Sequence, residues 1–276
     1  MVPVWAFALL IGTSLGAVVL MLVVRRYLAP KGFFRDPVPP AGVFSVLGVA
    51  LGILIAFVLF LAFESFVRAQ EGASREAVAV TQLLRATRLF PEPQHQELRG
   101  DLVCYGRAVV DDEWPKMDTG GESQVVEDWI DKIETTVDTV PVSNARTEVA
   151  LSHWLDEQAE RREGRRARLA EASSDTPQAV WLMLILGGAV TVLYLLVFAD
   201  RRELWWVQGS MMFTVTGLIV ASVLVIHFLD SPFARDGTYI GPDEMETTLE
   251  LFEHEFSGDP SVIATIPCDE QGMPVR

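Results

Sequence analysis

The sequence is poor in the residues from which most active sites are built. It has 2 cysteines and 4 histidines in 276 residues, and the histidines are scattered. There is no CxxC pair, no GxxxxGK[ST] phosphate loop, no HExxH and no GxSxG. No nucleophile–base pair or metal cluster emerges, so neither an enzyme nor a cofactor or metal is expected. Basic residues are also few, 22 against 37 acidic ones, for a net charge of −15. Nucleic acid is not an expected partner. Strand signals are scarce, and no basic stretch precedes the first apolar run, as a cleaved signal would require.

Half of the residues are hydrophobic. A chain this acidic is rarely so apolar, and position resolves the conflict. Four runs, Val2–Val24, Val43–Phe63, Ala179–Phe198 and Leu204–Phe228, contain no Asp, Glu, Lys or Arg. Each reaches the ~20 apolar residues that span a bilayer. The segments 64–177 and 230–276 each carry −9, whereas the link 25–36 carries +3 through Arg25, Arg26, Lys31 and Arg35 against Asp36. The expected fold is all-α: a four-span membrane protein with a helical hydrophilic domain inserted between spans 2 and 3. The divisions are 1–63 for spans 1 and 2, 64–178 for the domain, 179–229 for spans 3 and 4, and 230–276 for an acidic tail.

Short basic links stay in the cytoplasm. The link after span 1 and the pair Arg201-Arg202 after span 3 therefore place both termini and the 64–178 domain outside, in a multi-pass protein of the cell membrane. Arg161, Arg162, Arg165, Arg166 and Arg168, close to span 3, pull the other way. Cys104 and Cys268 are separated by an even number of spans and lie on one side. They can pair if that side is oxidising; two unrelated thiols are the other reading.

Within the hydrophilic segment, no proline interrupts from Ala41 to Phe90. Span 2 should therefore continue as one helix of about 48 residues, roughly 70 Å long, with Gly72 as its weak point. Phe66, Ala73, Ala77, Val80 and Leu84 form a heptad-like seam on it. Three more helices should follow, with stripes at Leu98-Leu102-Tyr105-Val109 and at Val126-Trp129/Ile130-Ile133-Val137, then a last one capped by Asn144 or Ser143.

The chemistry-bearing candidates lie at the membrane boundary. Ionisable groups near hydrocarbon tend to pair or to line a wet cavity, so Glu64, Arg68, His227 and Asp230 are candidates for a polar mouth; plain interfacial anchoring is the competing reading. Gly12-x3-Gly16 and Gly48-x3-Gly52 suit close helix packing or oligomerisation. Trp5, Trp181, Trp205 and Trp206 fall near the expected interfaces. The clusters Asp111-Asp112-Glu113 and Glu127-Asp128 could draw cations to a vestibule, or simply be solvated faces. Glu253-His254-Glu255 reads mainly as solvated tail.

Several ordered segments resemble the bacterial bestrophin-like domain family of membrane proteins. They are GILIAFVLFLAFESFVRAQEGASREAVAVTQLLRATRLFP, including Gly52, Glu76, Ala77, Arg85, Phe90 and Pro91; YGRAVVDDEWP, with Tyr105, Glu113, Trp114 and Pro115; RREGRRARL with Pro177 and Trp181; and LDSPFARDGTYIGPDEM, with Asp230, Pro232, Phe233 and Pro242. The resemblance spans about residues 40–252. It implies kinship with oligomeric channels, hence a homo-oligomeric ion channel or pore lined by span 2. Read as structure, Glu113 pairs with an arginine of the stalk or the last helix of the domain, Asp230 caps the start of the tail, and Phe233 anchors it in the interface. The alternative function is a non-conducting envelope scaffold or accessory subunit bound to another membrane protein. The lipid bilayer and copies of the chain are the expected partners.

Overall fold

The computed structural model describes residues 3–28, 38–172, 176–200, 202–234, 239–256 and 266–275. Lys31, Arg35, Asp36 and Arg201, and the side chains of His254 and Glu255, lie outside the described set. Nine α-helices are described: α1 Val4–Val23, α2 Val38–Ala86, α3 Gln94–Ala108, α4 Trp114–Met117, α5 Gln124–Asp138, α6 Ala145–Ala170, α7 Gln178–Leu196, α8 Trp205–Leu229 and α9 Asp243–Phe256. The only strand-like feature among the described residues is a bridge between Cys268 and Pro274. The chain is an all-α membrane protein with four helices long and apolar enough to cross a bilayer, Val4–Leu28, Pro40–Leu89, Gln178–Leu196 and Trp205–Leu229.

The chain divides into two compact units. One comprises Met1–Ser65, Asp175–Asp230 and Asp236–Thr238, and the other Phe66–Ser174, Ser231–Arg235 and Tyr239–Arg276. The division falls inside α2, which runs unbroken for 49 residues, about 74 Å at 1.5 Å per residue. Pro39 and Pro40 fall in its first turn, where a missing N–H costs nothing. It ends through a short 3-10 turn at Thr87–Leu89 and an extended Phe90, because Pro91 and Pro93 admit no further helix.

In the membrane unit, α1 lies along α8. Ala17, Met21 and Val24 of that first helical segment meet Met212 of α8 and Leu196 at the end of α7. A second cluster joins Val58 and Ala62 of α2 to Leu184 of α7 and Ile226 of α8. Glycine permits one close approach: a Cβ on Gly188 would stand 2.9 Å from Ile219. Only 17–28% of the residues in each span's most apolar stretch are buried. Many apolar side chains of this unit, such as Ile53, Phe57 and Phe60 on α2 or Leu182 and Leu186 on α7, are therefore more than half exposed in the single chain. A soluble monomer does not expose so much contiguous apolar surface; lipid or further copies must cover it.

The hydrophilic unit has a conventional core. Leu98, Leu102, Tyr105 and Val109 are fully buried against Val126, Trp129 and Ile133 of α5 and Trp154 of α6. Ser123 caps α5 through the Val126 N–H, and Asn144 caps α6 through the Thr147 N–H at 3.0 Å, each occupying a donor that the first turn leaves open. The buried seam of α2 runs through Ala69, Ala73, Glu76, Val80 and Leu83. Phe66 and Leu84, expected on that seam, are half-buried at its edges. At Gly72 and Gly164 the backbones of α2 and α6 come so close that a Cβ on either would clash. Gly72 is thus a contact point for α6.

The segment after residue 230 is more than an acidic tail. Met245 and Phe252 of α9 are buried, and Leu249 reaches Gly106 of α3. Residues 266–275 turn through Gly272, whose φ of +77° suits glycine. Its carbonyl accepts the Trp129 indole N–H at 2.8 Å, and a Cβ there would strike the Ala108 backbone. A disulfide joins Cys268 to Cys104 of α3, with the Cα atoms 5.8 Å apart.

Candidate functional site

The four residues expected to form a mouth are divided between the two units. Arg68 belongs to the hydrophilic unit, where its Nε donates to Glu171 at 2.7 Å. Glu64, His227 and Asp230 belong to the membrane unit. Asp230, expected to cap the tail, accepts from the Thr176 backbone N–H at 3.2 Å and from the Thr176 hydroxyl at 2.5 Å. It therefore secures the entry to α7. His227 is enclosed by aromatic rings, with Trp5 and Trp181 both edge-on at 6.2 Å. These contacts bring the start of α1, the start of α7 and the end of α8 together at one end of the unit, and Glu64 is exposed on α2.

The opposite end of that unit carries a polar junction that spacing alone did not reveal. Arg25 donates to the Gln208 side chain at 3.1 Å and to the Glu203 carbonyl. Tyr194 donates to the Pro40 carbonyl at 3.2 Å. Beside them lies an apolar cavity of about 350 Å³ lined by Met21, Phe44, Phe198, Val207 and Met211. Arginine and lysine in a short link had pointed only to orientation, because the partners of Arg25 are 178–183 residues away.

Among the described residues, the glycines of the two GxxxG patterns make no close approach. A Cβ on Gly12, Gly16, Gly48 or Gly52 would meet nothing within 4 Å. On α2, Ser45, Gly48, Gly52 and Ala56 form an exposed small-residue row.

The motif residues converge in the hydrophilic unit on one buried charge network. Glu113 and Glu76 are fully buried, as is Arg168; Arg165 is nearly so. Arg168 donates to Glu76 Oε2 at 2.7 Å and to Glu113 Oε2 at 2.6 Å. Arg165 donates to Glu113 Oε1 at 2.6 Å and to Glu127 Oε1 at 2.5 Å. The Ser123 N–H adds a further bond to Glu113, and Tyr105 donates its hydroxyl to Glu76 at 2.5 Å. Burial alone would raise the Glu113 carboxyl, but hydrogen bonds and charge from Arg165 and Arg168 outweigh it and hold it below the usual carboxylate range. Burial, and then the charge of Glu76, push the Tyr105 hydroxyl up. Both arginines are held protonated by their carboxylates against the desolvation that opposes it.

Of the two partners open to Glu113, the last helix of the domain supplies both arginines. A carboxylate so enclosed cannot draw cations, which removes Glu113 from the vestibule reading, whereas Asp111 is exposed. Asp112 is likewise engaged, by Lys116 and by the Ser123 hydroxyl. Trp114 donates its indole N–H to the Ile240 carbonyl at 3.0 Å, with Pro115 in the first turn of α4. Phe233 is buried edge-on against Trp114 at 5.8 Å, not anchored in an interface. The carbonyl of the buried Pro232 accepts from the Ile240 N–H at 2.8 Å, closing the loop between them. The role of Glu76 was missed. Its legible signal was the 4-and-3 spacing of Arg161, Arg165 and Arg168, which sets three cations on one face of a helix.

Among solved structures, the chain is similar to bacterial bestrophin homologues from Klebsiella pneumoniae. One, a single-substitution variant, gives a TM-score of 0.67 at 16% identity, with 93% of this chain and 99% of that chain covered. A second variant gives 0.69 at 15% identity, with 93% and 99% covered. The structure solved by Zn-SAD phasing gives 0.65 at 15% identity, with 92% and 98% covered. These identities show a shared fold. No curated protein matches the chain. The Bestrophin-like domain matches residues 11–238. With that match over most of its length and four bilayer-length helices, this chain belongs to the Bestrophin-like family of membrane proteins.

Proposed function

We propose that the protein is a homo-oligomeric ion channel or pore of the cell membrane, with α2 as the element around which copies gather. The observation that carries this reading is the exposed row Ser45, Gly48, Gly52 and Ala56. Small residues let helices approach closely, yet among the described residues of one chain nothing lies within 4 Å of a Cβ at Gly48 or Gly52. A second copy gives that row a partner, and a ring of copies encloses an axis. Family membership and the bare apolar faces of the spans support the same reading.

Both termini and the 64–178 domain are placed outside the cytoplasm in this proposal. The basic link 25–36 supports that orientation, and so does the pairing of Cys104 with Cys268, since disulfides persist in oxidising compartments. Cysteines introduced singly at Ser173 and Lys31 would test it with a membrane-impermeant thiol reagent, in a Cys104→Ser/Cys268→Ser background. Labelling of intact cells is expected at position 173 and not at 31; the reverse overturns the orientation.

Glu64, His227 and Asp230 are the proposed polar groups at the membrane boundary. The deciding experiment is reconstitution of purified protein in planar bilayers. Currents are expected, and Glu64→Gln together with His227→Gln should change conductance. Silence across pH, voltage and Ca²⁺ would sink the channel. A lone chain that co-purifies with another membrane protein would favour the accessory-subunit alternative.

A further inference from the structure

Among the described residues, the buried network leaves Arg161 unmatched. Arg165 has Glu113 and Glu127, and Arg168 has Glu76 and Glu113. Arg161, one turn earlier on the same face of α6, is fully buried, and neither Nη1 nor Nη2 has a hydrogen-bond partner. Its Nε donates to Gln158 Oε1 at 2.7 Å, and its guanidinium lies 5.0 Å from the Tyr105 ring centre. Two further buried groups beside it on α6 are also unpartnered, Gln158 Nε2 and Trp154 Nε1. The Arg161–Gln158 bond fixes which end of the amide is the donor. Each of these unpartnered atoms is therefore an N–H donor. A buried water can accept from such donors but also needs acceptors for its own hydrogens to be fully bonded, and these nitrogens offer none. An unpaired buried charge is costly. A ligand that only accepts hydrogen bonds and carries negative charge removes both deficits.

Arg161 also lines a groove of about 490 Å³ on the hydrophilic unit. Arg162, Arg165 and Arg166 line it too, against Glu122 and Glu127. Glu127 is committed to Arg165, and the exposed Arg166 is held loosely by Glu163 at 3.6 Å. The groove thus has a basic surplus, and planar guanidinium forks match tetrahedral and planar oxyanions bidentately.

We propose that this groove binds an oxyanion of the phosphate class, with Arg161 as its innermost contact and Arg162 and Arg166 on its rim. The proposal does not depend on the proposed pore. The same chemistry is presented by free phosphate and by an anionic lipid headgroup.

The test is thermal unfolding of the full-length protein in detergent, with inorganic phosphate titrated against chloride at constant ionic strength. A saturable rise in Tm specific to phosphate is expected. Arg161→Met should stay folded in chloride, since it removes an unpaired charge, and should lose the response. Arg166→Ala, on an exposed side chain, should raise the half-saturating phosphate concentration several-fold, and it serves alone if Arg161→Met does not fold. Repeating the titration in lipid discs separates the sources. A response unchanged by phosphatidylglycerol identifies a soluble ligand, and one abolished by it identifies a headgroup. Equal effects of chloride and phosphate, or a full response in Arg161→Met or Arg166→Ala, would overturn the proposal.

Discussion

Gly164 lies so close to Gly72 that a Cβ built on it would sit 2.9 Å from the Gly72 carbonyl oxygen and 2.5 Å from the Glu76 backbone nitrogen. The approach brings α6 against α2 and sets Arg168 beside Glu76. Both glycines sit mid-helix, where glycine is intrinsically unfavourable by roughly 0.5–1 kcal/mol, so the crossing must return more than that cost. Gly164→Ala and Gly72→Ala are expected to lose about 1–3 kcal/mol each, or more if the charge network separates. Gly12→Ala, with open space at its Cβ, should leave the stability of the single chain unchanged or slightly higher. Thermal unfolding of the three variants in detergent checks the contrast.

Removing the Glu113 carboxylate leaves two buried guanidinium groups short of a partner. Glu113→Gln keeps the shape and should cost about 3–5 kcal/mol at neutral pH. The pH dependence has a definite sign. Glu113 titrates lower in the folded protein than its unfolded value of about 4.3, so its stabilisation is present above that value. It is lost as pH falls through the lower, folded value. Burial raises Asp101 despite Lys132, so that group acts in the opposite direction. The difference in Tm between the parent and Glu113→Gln should therefore be widest near neutrality and shrink below about pH 4.

Cys104 and Cys268 tie the last described residues to α3. Cys104→Ser, or reduction of the parent, should cost about 2–4 kcal/mol. It should also speed proteolysis near residues 266–275, which otherwise rest on Ala108 and Trp129. Limited proteolysis with mass spectrometry reads the second effect. Equal cleavage rates with and without reductant would show that the packing alone holds the segment.

Gly48→Leu and Gly52→Leu place bulk where the single chain has only open space. Each should fold and insert normally. If α2 meets another copy there, the oligomer should fall apart or change its subunit number in light scattering with detergent correction. An unchanged oligomer in both variants would remove this row from the contact.

Local patterns along the chain were enough to place the membrane spans, the long α2 and the helical content of the hydrophilic segment. Those features follow from local rules: apolar runs of bilayer length, the absence of proline between residues 41 and 90, and capping by Asn144. They need no knowledge of which distant residues meet. The motifs likewise singled out Glu113, Trp114 and Phe233, though not what they do. The folded arrangement set the rest: Glu113 is sealed by Arg165 and Arg168, Asp230 holds Thr176, and Phe233 packs on Trp114. It also decided that Gly72 is a contact for α6, and that Arg161 lacks the acidic partner its neighbours share. Such outcomes depend on pairings between residues far apart in the chain. Charge and glycine at a position are visible locally, but the group that meets them is set by how helices cross, and spacing along a linear sequence carries no record of that crossing.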